Sequence, residues 1–219
     1  MSQSNADAVC RAVYKDTSAF YDRISPNLTH CRGYEILLSP PTWQCPIMFI
    51  GYQPGPGDFD SEDALRRRHE WPKESDYVTA QWRLARNLQA IFGKQKLKRC
   101  VGTNAIFFQA DTIALHDQLA PDIRGEVFEF CRKALTRMID AIEPQYIVAI
   151  GLRTLREFGE GNRVVARRRS GPSHPLIEEG IIVGRKAISV LHLSGAWPST
   201  AEKNDIKDFL MSQTTHLRW

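Results

Sequence analysis

The stretch QYIVAIGLRTLREFG, residues 145–159, runs from a strand-length segment, apolar from Tyr146 to Ile150, straight into a helical pattern with only Gly151 between them. A strand that never alternates with polar residues has both faces covered, and a parallel sheet between layers of helices covers both. Three more segments read the same way: IMFIG at 47–51, RCVGTNAIFF at 99–108 and AISVLHLS at 187–194. The four runs, separated by helical patterns, predict an α/β fold: three layers, α/β/α, around a central, mostly parallel four-stranded sheet.

The helical patterns lie at Asp7 to Ile24, at SEDALRRRH (61–69), at VTAQWRLARNLQAIFG (78–93), at IRGEVFEFCRKALTRMIDAIEP (123–144) and at AEKNDIKDFLMSQ (201–213). In the third, Trp82, Leu84, Ala85, Leu88 and Phe92 share a face and Gly93 ends the helix; Pro144 ends the fourth. YEILL (34–38) reads as a short strand, and LIEEGIIVG (176–184) as an antiparallel hairpin arm. One domain spanning 1–219 is expected, residues 1–44 forming a helical and loop extension packed on it.

Composition narrows the function classes. With 219 residues, 42% hydrophobic and 25% charged, the chain suits one well-buried core. A formal charge of +4 suits a polyanionic partner. Cys10, Cys31, Cys45, Cys100 and Cys131 form no C-x-x-C pair, which argues against a zinc knuckle or a disulfide framework; no metal or cofactor is expected. No secretory signal precedes residue 30, and no apolar run approaches the ~18 residues a membrane span needs. A soluble, intracellular, monomeric protein is expected, cytoplasmic and nucleoid-associated if bacterial.

In open parallel sheets, ligands bind beyond the carboxyl ends of the strands. That rule selects GYQPGPGD (51–58), TNAIFF (103–108), GLRT (151–154) and HLSGAWPS (192–199). The first is no phosphate-binding loop: it lacks G-K-[ST], and its glycines are not spaced G-x-G-x-x-G. Alone it is an ordinary strand-to-loop turn. In its company stand Asn104, a polar amide within an apolar strand, and His192 at the end of another. A buried amide costs free energy unless something pairs with it, so Asn104 requires neighbouring backbone or a ligand.

In their order and spacing, IMFIGYQPGPGD, VGTNAIFF, PQYIVAIGLRTL and VLHLSGAWPS resemble the uracil-DNA glycosylase superfamily, over roughly residues 45 to 210. The resemblance implies an enzyme that extrudes a damaged nucleotide from DNA and reads its Watson–Crick edge in a pocket. It implies that Asn104 reads uracil by a bidentate amide contact, and that His192 donates a hydrogen bond to the oxygen where charge develops as the N-glycosidic bond breaks. Gly51, Tyr52 and Phe59 are candidates to hold the base. Gly55, Ser194, Trp197 and Ser199 are candidates to contact the DNA, Trp197 by filling the gap left by the flipped base.

Departures from the family pattern carry their own expectations. Many members have aspartate or asparagine where this chain has Gln53, which accepts no proton at neutral pH and only orients water by hydrogen bonding. Asp58 and Asp60 are the nearest acids that can supply the missing charge. The branch with glutamine here includes members that attach covalently to DNA through a histidine in a basic loop; the corresponding FQADTIALHDQLAPD (108–122) holds His116 without flanking Lys or Arg, so that chemistry is not expected. The iron–sulfur cysteine pattern of some relatives is absent. The basic clusters are RRRH (66–69) and RVVARRRSGPSH (163–174); the second reads as a loop whose Arg167, Arg168 and Arg169 contact phosphates. The expected activity is hydrolytic excision of uracil, or another deaminated base, from single- or double-stranded DNA. The alternative is a damaged- or abasic-DNA-binding protein of the same fold with little turnover.

Overall fold

The computed structural model describes residues 1–28, 31–55, 69–169, 171, 173–194 and 198–219. Its strands are β1 (Cys31–Tyr34), β2 (Ile47–Gly51), β3 (Val101–Asn104), β4 (Phe108–Ala110), β5 (Tyr146–Ile150), β6 (Glu160–Arg167), β7 (Pro175–Ile182) and β8 (Arg185–Val190). Among the helices, α1 spans Gln3–Ile24, α2 Asp76–Thr79, α3 Arg83–Phe92 and α4 Lys94–Leu97. They are followed by α5 (Ile113–Asp117), α6 (Pro121–Ile142), α7 (Leu152–Phe158) and α8 (Thr200–Thr214).

The main sheet has the order β3-β2-β5-β8-β7-β6. Its first four strands run parallel and are the four apolar runs of the sequence. Successive side chains of a strand enter opposite layers. Met48 and Ile50 thus pack with α1, α6 and α7, while Ile47 and Phe49 pack with α3, α4 and α8. All of β5 is buried, which is why it shows no polar alternation.

Several expectations are corrected. The sheet has six strands rather than four, because β7 and β6 extend it antiparallel beyond β8. Strand β6 was hidden in what read as a basic loop: it lies at the sheet edge with almost every residue exposed, so no apolar run marks it. RCVGTNAIFF is not one strand. After Asn104 the chain turns, with Ala105 N–H and Ile106 N–H bonded to the Gly51 and Tyr52 carbonyls, and Phe108 opens β4, which pairs with β1 in a separate two-stranded sheet. YEILL contributes only Tyr34 to β1, although Leu37 bridges Thr103.

The pattern at 78–93 is broken between α2 and α3, where Ala80 is extended (φ −69°, ψ 153°). Trp82 precedes α3 and is 40% exposed, off the face made by Leu84, Ala85, Leu88 and Phe92. Gly93 does end α3, at φ 75°. The first helix begins at Gln3 rather than Asp7, because the Ser2 side chain caps it by accepting from Asn5 N–H. SEDALRRRH lies outside the described residues, His69 excepted.

Candidate functional site

The strand register aligns one row of residues at the carboxyl edge of the parallel sheet. Asn104 pairs with Gly51, and Ile150 with Val190, while Ile50 pairs with Ala149 one step earlier. Beyond that row lies a cleft of about 780 Å³ whose wall includes Gly51, Gln53, Gly55, Asn104, His192 and Ser194. Four segments far apart in sequence meet there because parallel crossovers return each strand in the same direction.

Asn104 is the last residue of β3 and only 4% exposed. Its Nδ2 is buried and makes no hydrogen bond. Its Oδ1 lies over Gly51, where an added Cβ would collide with it, so the close approach requires glycine. Gln53 is held from the opposite end: Nε2 donates to the Ala110 carbonyl at 2.6 Å, leaving Oε1 buried and without a hydrogen bond. One cleft therefore holds an unmatched donor on Asn104 and an unmatched acceptor on Gln53. Each such group costs about 1–3 kcal/mol when left unpaired.

His192 follows β8 on a loop whose Leu193 carbonyl accepts from Asn87 Nδ2 of α3 at 2.7 Å. Its ring packs near Gly151, whose φ of 100° turns the chain from β5 into α7. Nδ1 lies 3.3 Å from Ser194 N and 2.8 Å from Ser194 Oγ. A backbone N–H only donates, so Nδ1 is the acceptor; this network assigns the proton of the neutral ring to Nε2. One side of the ring meets the open cleft, but surrounding protein displaces enough water to lower its pKa below the ordinary histidine value. The neutral, Nε2-protonated imidazole is a hydrogen-bond donor.

Other predicted residues lie elsewhere. Tyr52 is turned from the cleft: its hydroxyl donates to Glu157 Oε2 at 2.7 Å, Arg153 lies 4.8 Å over its ring, and burial raises its phenol pKa. Ser199 caps α8 in a reciprocal capping box with Glu202. Strand β6 runs in the same sense as β8, so Arg167 leaves the sheet at the cleft edge and donates to the Ser173 carbonyl at 3.3 Å. Arg168 pairs with Glu202 at 3.3 Å and Arg169 with Asp205 at 2.6 Å, so carboxylates already occupy these two guanidiniums. Asp58, Asp60, Phe59 and Trp197 lie outside the described residues.

His116 is 3% exposed, and Phe108 is stacked with Phe20; neither lines the cleft. Cys10, Cys45, Cys100 and Cys131 are buried and free, and desolvation pushes Cys10 and Cys100 up to about 12. Among the described residues, no group of three or more His, Cys, Asp or Glu could hold a metal ion. None of the described helices is long and apolar enough to cross a membrane.

Sequence reasoning missed Glu35, Asp76, Tyr77, Trp82 and Arg83, which also line the cleft. Of these only Trp82 is singled out in the sequence, and there as part of a helix's buried face rather than of a site. The rest arrive through non-local pairing: Leu38 N–H bonds the Gly102 carbonyl of β3, and Asp76 N–H the Leu38 carbonyl. The chain matches no protein-family model and no curated protein.

Proposed function

We propose that this protein is a DNA base-excision glycosylase of the uracil-DNA glycosylase kind, with the corresponding fold, acting on uracil or another deaminated base flipped out of DNA. The observation that carries this reading is the unmatched, buried Nδ2 of Asn104 in the same cleft as an Nε2-protonated His192. A flipped lactam base offers an acceptor to the Asn104 donor, recovering the free energy of an unpaired amide. His192 Nε2–H then donates to the oxygen on which charge develops as the base departs. Gln53 Oε1 is an acceptor for the attacking water. Arg167, the last residue of β6, lies on the cleft edge of the sheet, where phosphates would pass.

The test is single-turnover incubation with a fluorescent uracil oligonucleotide followed by alkali, on single- and double-stranded DNA. Strand breakage with wild type is expected. His192→Ala should lower the rate about 100- to 1000-fold, the typical effect of losing one donor aimed at developing charge. Absence of breakage at enzyme excess would sink the reading for uracil. A second reading, a damaged-DNA binder of little turnover, is favoured by Gln53, which cannot take a proton. Tight, salt-dependent binding to uracil or abasic DNA without breakage would select it.

A further inference from the structure

We propose that Glu35 is the general base of this cleft, supplying the proton acceptor that Gln53 lacks; the proposal rests on the glycosylase reading. Residues 35–38 are strapped along β3. Glu35 N–H bonds the Phe107 carbonyl at 2.9 Å, Thr103 Oγ1 donates to the Ile36 carbonyl at 2.6 Å, and Leu38 N–H bonds the Gly102 carbonyl at 2.8 Å. Leu37 and Thr103 form an antiparallel bridge within this strap. In that register, Glu35 stands just past Asn104 at the carboxyl end of β3, and both line the cleft with Gln53 and His192.

The other carboxylate on the wall, Asp76, is held one layer farther from β3, through its N–H bond to the Leu38 carbonyl at 2.8 Å. The strap is rigid because its hydrogen bonds are largely buried backbone contacts. Backbone pairing of this kind fixes where the Glu35 side chain starts on the cleft wall, and a base needs a defined position relative to the reacting group. Among the described residues, the charged and titratable groups that share the cleft wall with Glu35 are Asp76, Tyr77, Arg83 and His192, and the phenols of Tyr77 and of Tyr14 of α1 feel the Glu35 charge. His69 stacks on the adjacent Tyr34.

The step balances within the cleft. Water held by Gln53 Oε1 transfers a proton to the Glu35 carboxylate as its oxygen bonds to the sugar's anomeric carbon. The electron pair of the N-glycosidic bond leaves with the base, whose negative charge His192 Nε2–H stabilises. The products are the base anion, an abasic sugar and protonated Glu35; Glu35 returns its proton to solvent, and the released anion takes one up from solvent.

The test compares wild type, Glu35→Gln and Asp76→Asn in single-turnover cleavage across pH, alongside anisotropy titration of the same DNA and thermal melting. Glu35→Gln should bind DNA within about twofold of wild type, melt normally, cleave about 10²- to 10⁴-fold more slowly and lose the acid limb of the pH–rate profile. Asp76→Asn should lose less activity than Glu35→Gln and keep that limb. The proposal is overturned if Glu35→Gln cleaves within about threefold of wild type with the limb intact, or if Asp76→Asn shows the larger loss. Failure of the glycosylase reading looks different: wild type itself releases no base, and both ideas fall together.

Discussion

Asn104 illustrates how a single residue sets stability against function. Its Nδ2 is buried and has no hydrogen-bond partner in the protein, a penalty that an acceptor entering the cleft would relieve. Asn104→Ala should therefore leave thermal stability unchanged or raise it by about 1 kcal/mol, since the deleted donor was unsatisfied and the lost side chain is small. The same change should weaken uracil-DNA affinity about 10- to 100-fold, the loss of one or two hydrogen bonds made only in the complex. Melting curves and anisotropy titrations would show both effects; a large drop in melting temperature would mean that the amide is structural.

The element that best separates a structural from a DNA-contacting role is α8. Ser199 accepts from Glu202 N–H at 3.2 Å and its own N–H bonds Glu202 Oε2 at 2.8 Å, so its hydroxyl is spent on the helix start. Glu202 also accepts from the Arg169 backbone N–H at 3.0 Å and pairs with Arg168, tying the end of β6 to α8. These bonds, led by the Ser199 backbone N–H, hold the Glu202 carboxyl down at about 2. Ser199→Ala should cost about 1 kcal/mol by chemical denaturation, the usual value of an N-cap. DNA affinity should not change, and a marked loss of affinity with normal stability would restore Ser199 as a contact.

For the whole molecule, pH dependence follows from its histidines. His69, His116 and His192 all have pKa values lowered from 6.5, first by desolvation. Between 6.5 and the lowered value, the unfolded chain binds a proton that the folded chain refuses, so stability falls as pH falls through that window. For the fully enclosed His116 the slope is at most about 1.4 kcal/mol per pH unit. His192 contributes less, because water in the cleft screens it. Glu202 acts in another range: its contribution holds above 4.5 and is lost as pH falls towards 2. Melting temperature should thus decline from pH 7 to 5, and His116→Gln should flatten that decline. An unchanged slope in the variant would show that His116 titrates normally.

The sequence by itself determined the parallel core, because a strand covered on both faces must be apolar at every position, and β2, β3, β5 and β8 are legible for that reason. It also marked Gly51, Gln53, Asn104 and His192, since polar or glycine residues at the ends of apolar strands stand out along one chain. It did not reveal β6, whose edge position leaves its side chains in solvent and erases any apolar signature. Nor did it separate Tyr52, turned to Glu157, from its neighbours Gly51 and Gln53, which face the cleft. Only the tertiary structure decided that Glu35 and Asp76 share a cleft wall with Asn104. Their placement comes from hydrogen bonds between segments tens of residues apart, and such pairing leaves no pattern in the local sequence of either partner.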